Sequence, residues 1–247
     1  GQADQFYFGL DDLDKAQTMN SGRLMEKAMD EAAYGMKNKI DQYLAGTILV
    51  GGLNATTTLL SGATVSSTSN PIVVGTNSGD TNAYELFTDL STQLNLQNVP
   101  AGDRWVVIDP NLVAKLLKDV RFTSFATAGA LETMRQGSSA GGEGQEGALA
   151  SVLKMLLGMD VYISNNVPFY AAAGTTVYPT ATPTSTSVYT IIAGYKGAAT
   201  YANQIADGSP EAFRLQTGFM DVVRGLHLYD AKVTRPAALA GAYVQYS

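Results

Sequence analysis

Four features of this chain have residue types and spacing that could do chemistry. Asp109 stands between an apolar run and a proline in RWVVIDP, residues 104–110. A carboxylate at the end of a buried strand is where many α/β enzymes keep a general acid or base. Asp11, Asp12 and Asp14 crowd together in GLDDLDK, and oxygen ligands at close spacing are what a calcium ion takes. His227, in GLHLYD, is the one histidine, and imidazole is the side chain that exchanges protons near neutrality. The run GSSAGGEGQEG at 137–147 has the glycine content of a phosphate-cradling loop.

None of the four finds the partners its chemistry needs. No histidine, cysteine or second carboxylate is identifiable beside Asp109. Its place, with Pro110 behind it and Leu112, Val113, Leu116 and Leu117 on the buried side of the next segment, is that of a helix N-cap followed by proline in the first turn. The Asp11, Asp12, Asp14 cluster lacks the glycine offset and the distant glutamate of an EF-hand, and carboxylates ahead of a long helix suit the positive end of its dipole. A lone histidine between two leucines of a strand pattern reads as structural or exposed, and no GxSxG offers it a nucleophile. The Gly-rich run offers neither a GxxxxGK[ST] after a strand nor a GxGxxG in a βα turn, and it carries two glutamates and no lysine, which repel phosphate. It reads as a flexible exposed loop. Carboxylate pairs for glycoside hydrolysis cannot be assigned from spacing alone. The sequence therefore supplies no catalytic, cofactor-binding or metal-ligating residue.

Composition narrows the classes further. The chain has 247 residues, enough for one large domain or two small ones. Apolar residues make up 45% and charged residues only 15%, against roughly 25% in ordinary soluble domains. A surface so poor in charge is covered by Ser, Thr, Asn, Gln and Gly, or by other protein. The formal charge is −6 with 16 basic residues and no Lys/Arg-rich run, which argues against tight nucleic-acid binding. The absence of cysteine excludes disulfides, zinc–thiolate sites and thiol nucleophiles, and one histidine is too few for a His-based zinc site. No apolar run reaches the roughly 18 residues of a membrane-spanning helix, and no signal peptide is visible. The sequence opens on GQADQFYF without an initiator Met, as a processed product or the ordered remainder of a longer chain would.

The elements that must carry these residues follow from periodicity. Residues 22–48 predict a long amphipathic helix of roughly 40 Å, with Met25, Met29, Ala32, Met36, Ile40 and Tyr43 in one stripe and Asn20 or Ser21 as cap. Asn54 to about Asp80 reads as loop around a short strand, PIVVG. Residues 82–96 predict a second helix, with Tyr84, Leu86, Phe87, Leu90 and Leu94 at helical spacing. The turn VPAGD leads into RWVVIDP, whose four apolar residues predict a strand covered on both faces. ALASVLKMLLG predicts a short helix closed by Gly158, and MDVYISNNVP a strand. Residues 171–187 read as an exposed excursion or hairpin tip. VYTIIAGYKGAATYANQI predicts one or two strands, and the stretch from Phe219 through Val222, Leu226 and Leu228 to Val233 alternates as a strand does.

The order of these pieces resembles that of the major capsid proteins of tailed bacteriophages, the Hong-Kong-97-type shell fold that encapsulins share. The residues that carry the resemblance are the long helix ending in KIDQYLAGTI, then NVPAGDRWVVIDPNLVAKLL, GMDVYISNNVP, TIIAGYKGAATYANQI and the closing RGLHLYDAKVTRP. It covers most of the chain from about Phe6 onward.

The resemblance implies an α+β fold with a long spine helix and β elements in a peripheral domain, plus an α/β axial domain at the capsomer centre. By it, residues 1–20 end an extended N-terminal segment. Residues 21–80 and 212–247 form the peripheral domain, with the spine at 22–48, and 81–211 the axial domain. Gly137–Gly147 and Thr175–Ser187 become loops facing an axis, a neighbour or solvent. The family's N-terminal arm and extended hairpin loop are mostly missing ahead of the spine, so a cross-linking residue cannot be assigned. The implied function is that of a non-enzymatic subunit of an icosahedral or prolate virion capsid. It would self-assemble into pentamers and hexamers around double-stranded DNA after assembly in the host cytoplasm. The implied partners are other copies of the chain, scaffolding and portal proteins and a decoration protein, with DNA only in loose non-specific proximity and no membrane or cofactor. An encapsulin-type compartment and an α/β enzyme with an unrecognised site are the alternatives.

Overall fold

A computed structural model of the chain describes residues 1–17, 21–52, 71–75, 77, 79–119, 158–171, 175–177, 186–205, 210–216 and 218–247. The Gly-rich run at 137–147, most of the expected helix at 148–158 and the tip at 178–185 lie outside these residues. The fold is α+β, and it separates into two compact units, Gly1–Leu44 with Thr200–Lys232, and Ala45–Ala199 with Val233–Ser247.

The first unit is built on a four-stranded sheet. Strand β1 (Gln2–Asp11) runs antiparallel to β10 (Met220–Val233) through ten paired residues, from Gln2 opposite Tyr229 to Asp11 opposite Met220. On the other edge of β10 lie β8 (Ala199–Ile205) and β9 (Glu211–Arg214). A short helix, α1 (Asp12–Gln17), follows β1. The long helix α2 (Ser21–Gly52) has 32 residues, a rod of about 48 Å. Its portion in this unit packs on the sheet through Tyr43, whose ring meets Tyr229 edge-on at 5.4 Å and whose hydroxyl donates to Asp230 at 2.9 Å. Lys39 adds an ion pair to Asp4 at 3.8 Å. The predicted stripe at Met25, Met29, Ala32, Met36, Ile40 and Tyr43 is half-buried throughout, while Tyr34 lies off it and exposed.

The second unit holds the core. Its sheet runs β2 (Ile72–Val74), β11 (Leu239–Tyr246), β7 (Val188–Tyr195), β3 (Arg104–Ile108), β4 (Asp160–Ile163). The hairpin β5 (Phe169–Ala171) and β6 (Thr175–Val177) joins through β7. Pairs β2–β11 and β3–β4 are parallel and the others antiparallel. Helices α3 (Ala83–Leu96) and α4 (Pro110–Lys118) bury Leu86, Phe87, Leu90, Leu94, Leu112 and Leu116 without residual exposure. Burying such a side chain is worth about 1.5–3 kcal/mol, so these six anchor both helices. Gly158 has φ of +66°, a left-handed conformation that favours glycine, and leads into β4.

Four expectations change. Asp11 and Asp12 do not simply precede the long helix, because Gln2–Asp11 is a paired strand and α1 intervenes. Leu117, expected inside, is 43% exposed: α4 is only nine residues long and points Leu112 and Leu116, one turn apart, at the core. Trp105 and Val107 are only half-buried, so β3 is fully covered on one face alone. The alternation in β10 holds only in part. Val222 is buried as expected, but so are Val223, Gly225, His227 and Tyr229, whereas Phe219 and Leu226 are exposed and Leu228 partly so. The two units also divide the chain differently from the expected 21–80 with 212–247 and 81–211. The physical cause lies in the last strand: Leu239–Val244 pair with β7 and Val244–Tyr246 with β2, which ties the chain's end into the second sheet.

Candidate functional site

Asp109 is 2% exposed at the junction of β3 and α4. Its backbone is extended, with φ −88° and ψ 159°, and its Oδ2 accepts from the Asn111 backbone N–H at 3.1 Å. It is therefore an N-cap, satisfying one of the free donors of the first helical turn. Its other oxygen accepts from the Tyr246 hydroxyl at the end of β11. Burial pushes the Asp109 carboxyl above its ordinary value, and the hydrogen bonds from Tyr246 and Asn111 partly offset that. The same burial, with the Asp109 charge beside it, raises Tyr246 far above the ordinary phenol range, so its hydroxyl keeps its proton. Asn111 Nδ2 reaches the Tyr189 hydroxyl at 3.4 Å, and the Tyr189 and Tyr246 rings lie 5.3 Å apart.

The last residue extends this network. Ser247 donates its hydroxyl to Asp80 at 2.7 Å and its backbone N–H to Val74 at 3.2 Å, and its carbonyl accepts from Lys115. The Ser247 hydroxyl is the main cause holding Asp80 below the usual carboxylate range. Together these contacts lock β11 to α4 and to the turn after β2. The arrangement holds a strand in place.

His227 sits 6% exposed on the inward side of β10, its ring stacked on Tyr229 at 5.0 Å. Its cross-strand neighbour is Asp4, whose carboxylate already accepts from the Tyr229 hydroxyl at 2.6 Å and pairs with Lys39. Tyr229 is raised well beyond its ordinary range by burial first and then by Asp4. Nδ1 of His227 is buried without a hydrogen-bond partner among the described residues. The imidazole packs as a flat ring against Tyr229.

In the aspartate cluster, Asp11 accepts from the Leu13 N–H at 3.3 Å, capping α1, and Asp12 pairs with Arg214. The side chain of Asp14 is outside the described residues. Among the described residues no group of three His, Cys, Asp or Glu side chains could hold a metal ion. No described helix is long and apolar enough to cross a membrane.

Sequence reasoning passed over Arg104. It is 5% exposed, and its guanidinium donates to the Pro100 carbonyl at 2.8 Å, to Asn95 Oδ1 at 2.8 Å and to the Val99 carbonyl. Desolvation lowers its affinity for the proton, and the three acceptors stabilise the charge by fixing the turn between α3 and β3. A basic residue opening an otherwise apolar strand is the signal that points to it. The Tyr246–Asp109 pair had no comparable signal, because 137 positions separate the partners.

These sites fix strands and caps, and comparison with other proteins agrees with a structural role. A family model described as phage capsid protein matches residues 3–242. No curated protein matches the chain by sequence. Among solved structures, one from Mycobacterium phage Che8 is 23% identical, with TM-score 0.59, over 100% of this chain and 70% of that one. The asymmetric unit of the bacteriophage PhiM1 mature capsid is 13% identical, with TM-score 0.59, over 100% and 71%. The holo-SrpI encapsulin complex from Synechococcus elongatus PCC 7942 is 13% identical, with TM-score 0.53, over 99% and 73%. At these identities the structures establish a shared fold, and the family match over nearly the whole chain establishes more: the chain belongs to the phage capsid protein family, as a structural, non-enzymatic subunit of the virion shell.

Proposed function

We propose that copies of this chain assemble through pentamers and hexamers into a closed icosahedral or prolate head around double-stranded DNA. The observation that carries this is the family match over residues 3–242. The composition supports it, since a subunit whose surface is largely interface needs few charges, and this chain has 15%. Closed shells reuse one chain in rings and between rings, so function resides in repeated contact. Within the subunit, the unit of Gly1–Leu44 with Thr200–Lys232 would serve as the peripheral domain and the unit of Ala45–Ala199 with Val233–Ser247 as the axial domain. Assembly would take place in the host cytoplasm, with scaffolding and portal proteins and a decoration protein as further partners.

DNA would be held loosely. A net charge of −6 leaves few cations to pair with phosphate. The likeness to an encapsulin keeps one other reading in view, a compartment enclosing protein. Particle contents separate the two. Particles isolated from cells carrying the neighbouring genes are expected to yield nuclease-protected double-stranded DNA. Particles containing protein cargo and no DNA would reverse the assignment.

A further inference from the structure

We propose that His227 is a proton-operated switch that sets which partner Asp4 holds, and through it how firmly the part of α2 in the first unit is tied to the four-stranded sheet. The device goes beyond the shell function above, since it lies inside one subunit and is readable on the unassembled chain. His227 is the chain's one histidine, and it is buried. Its Nδ1 has no hydrogen-bond partner among the described residues. A buried polar atom left unpaired is costly and calls for a reason.

The register partner of His227 on β1 is Asp4, and both side chains lie on the face turned to α2. Titratable and charged groups surround the imidazole from four elements. Asp4 stands on β1, Lys39 and Tyr43 on α2, Tyr201 on β8, and Tyr229 with its neighbour Asp230 on β10. Asp4 is the node among them. Its Oδ2 accepts from the Tyr229 hydroxyl at 2.6 Å, and its Oδ1 pairs with the Lys39 ammonium at 3.8 Å. Tyr229 is raised by burial first and then by Asp4, so that hydroxyl stays a donor at neutral and acid pH.

The two cations that can claim Asp4 are unequal. The Lys39 side chain is 63% exposed and its pair with Asp4 is long, so water screens it and it contributes little. An imidazolium at 227 sits in a buried slot, where a charge needs a counter-ion, and the carboxylate across the ladder supplies one. It also lies on the Tyr229 ring, 5.0 Å away, which favours a cation. Proton uptake therefore draws Asp4 to His227 and releases Lys39. A link between β1 and α2 is exchanged for a link between β1 and β10. Imidazole is the side chain that makes this change between about pH 8 and pH 5. The sign follows: the neutral ring leaves Asp4 to Lys39, and the charged ring tightens β1 on β10 while it loosens α2.

Hydrogen exchange read by mass spectrometry tests it on the full, unassembled chain. Rates are compared at about pH 7.5 and about pH 5, with exchange times scaled for the intrinsic amide rate. At the lower pH, α2 peptides around Lys39 are expected to exchange several-fold faster and β1 peptides several-fold slower. His227→Gln should abolish both changes. Lys39→Gln should exchange fast in α2 at both pH values, because its pair with Asp4 is already gone. An α2 rate that ignores pH in the native chain overturns the proposal, as does the same response in His227→Gln. Faster exchange in β1 and α2 together also overturns it, since that reports a buried charge without its counter-ion. If His227→Gln fails to fold, Asp4→Asn takes its place. It keeps an acceptor for Tyr229 and removes the charge, and a pH response that survives in it overturns the proposal.

Discussion

At the scale of the residue, Asp109 tests how a buried carboxylate is used. Asp109→Ala removes the cap and strips the Tyr246 hydroxyl of its acceptor. The expected loss is about 2–3 kcal/mol in urea denaturation, and a loss below about 0.5 kcal/mol contradicts the assignment. The folded carboxyl is raised above its ordinary 3.8. Its stabilising contribution is therefore fully present below that value and is lost as pH rises through the raised folded value. Asp109→Asn has no such titration, so its stability relative to the native chain should improve between about pH 4 and pH 7. A difference that is flat or falls across that window contradicts the burial argument. The cap was legible in the sequence because its signals are local: a strand, an aspartate, a proline and an apolar spacing within 16 residues of chain, 104–119. The second oxygen's partner was not legible, because Tyr246 reaches it only through the tertiary pairing of β11.

At the scale of the element, two contacts decide how strands and helices meet. A Cβ added at Gly225 would lie 2.3 Å from Cε1 of Phe6, the residue directly across from it. Phe6 thus covers a gap in β10 that only glycine leaves. Gly225→Ala should displace the ring and cost about 1–3 kcal/mol. Adding Phe6→Ala should recover part of that loss, and strictly additive losses in a double-mutant cycle would contradict the packing. Arg104→Met leaves the Val99 and Pro100 carbonyls and Asn95 without their donor. About 2–4 kcal/mol of stability should go with it in thermal or urea unfolding, and a neutral effect would mean that the turn holds itself. Helices α2 and α3 were legible because a 3.6-residue period names its own buried face. Strand β10 was legible as a strand, but a period of two says which side chains share a face and not which face is inside. Strand β1 stayed hidden because its evidence is its partner, more than 200 positions away.

At the scale of the whole molecule, the charge balance and the order of elements carry the function. An assembled shell at net charge −6 per subunit should bind duplex DNA weakly. A titration at low salt is expected to show no tight association, and tight binding that falls steeply with salt would contradict the account. The fold class was legible from the order of motifs between 22 and 235, though no motif was specific alone. The division into units was less legible, because β11 closes the second sheet by pairing with β7 and β2, which no local pattern encodes. The central claim is that this chain acts by repeated contact between copies and not by a reaction at a site. Electron microscopy of the full-length protein, expressed alone and with its neighbouring genes, tests that most directly. Closed polyhedral shells, or rings of five and six subunits, are the predicted result. A uniform population of monomers or dimers under both conditions and across a wide range of concentration would contradict it.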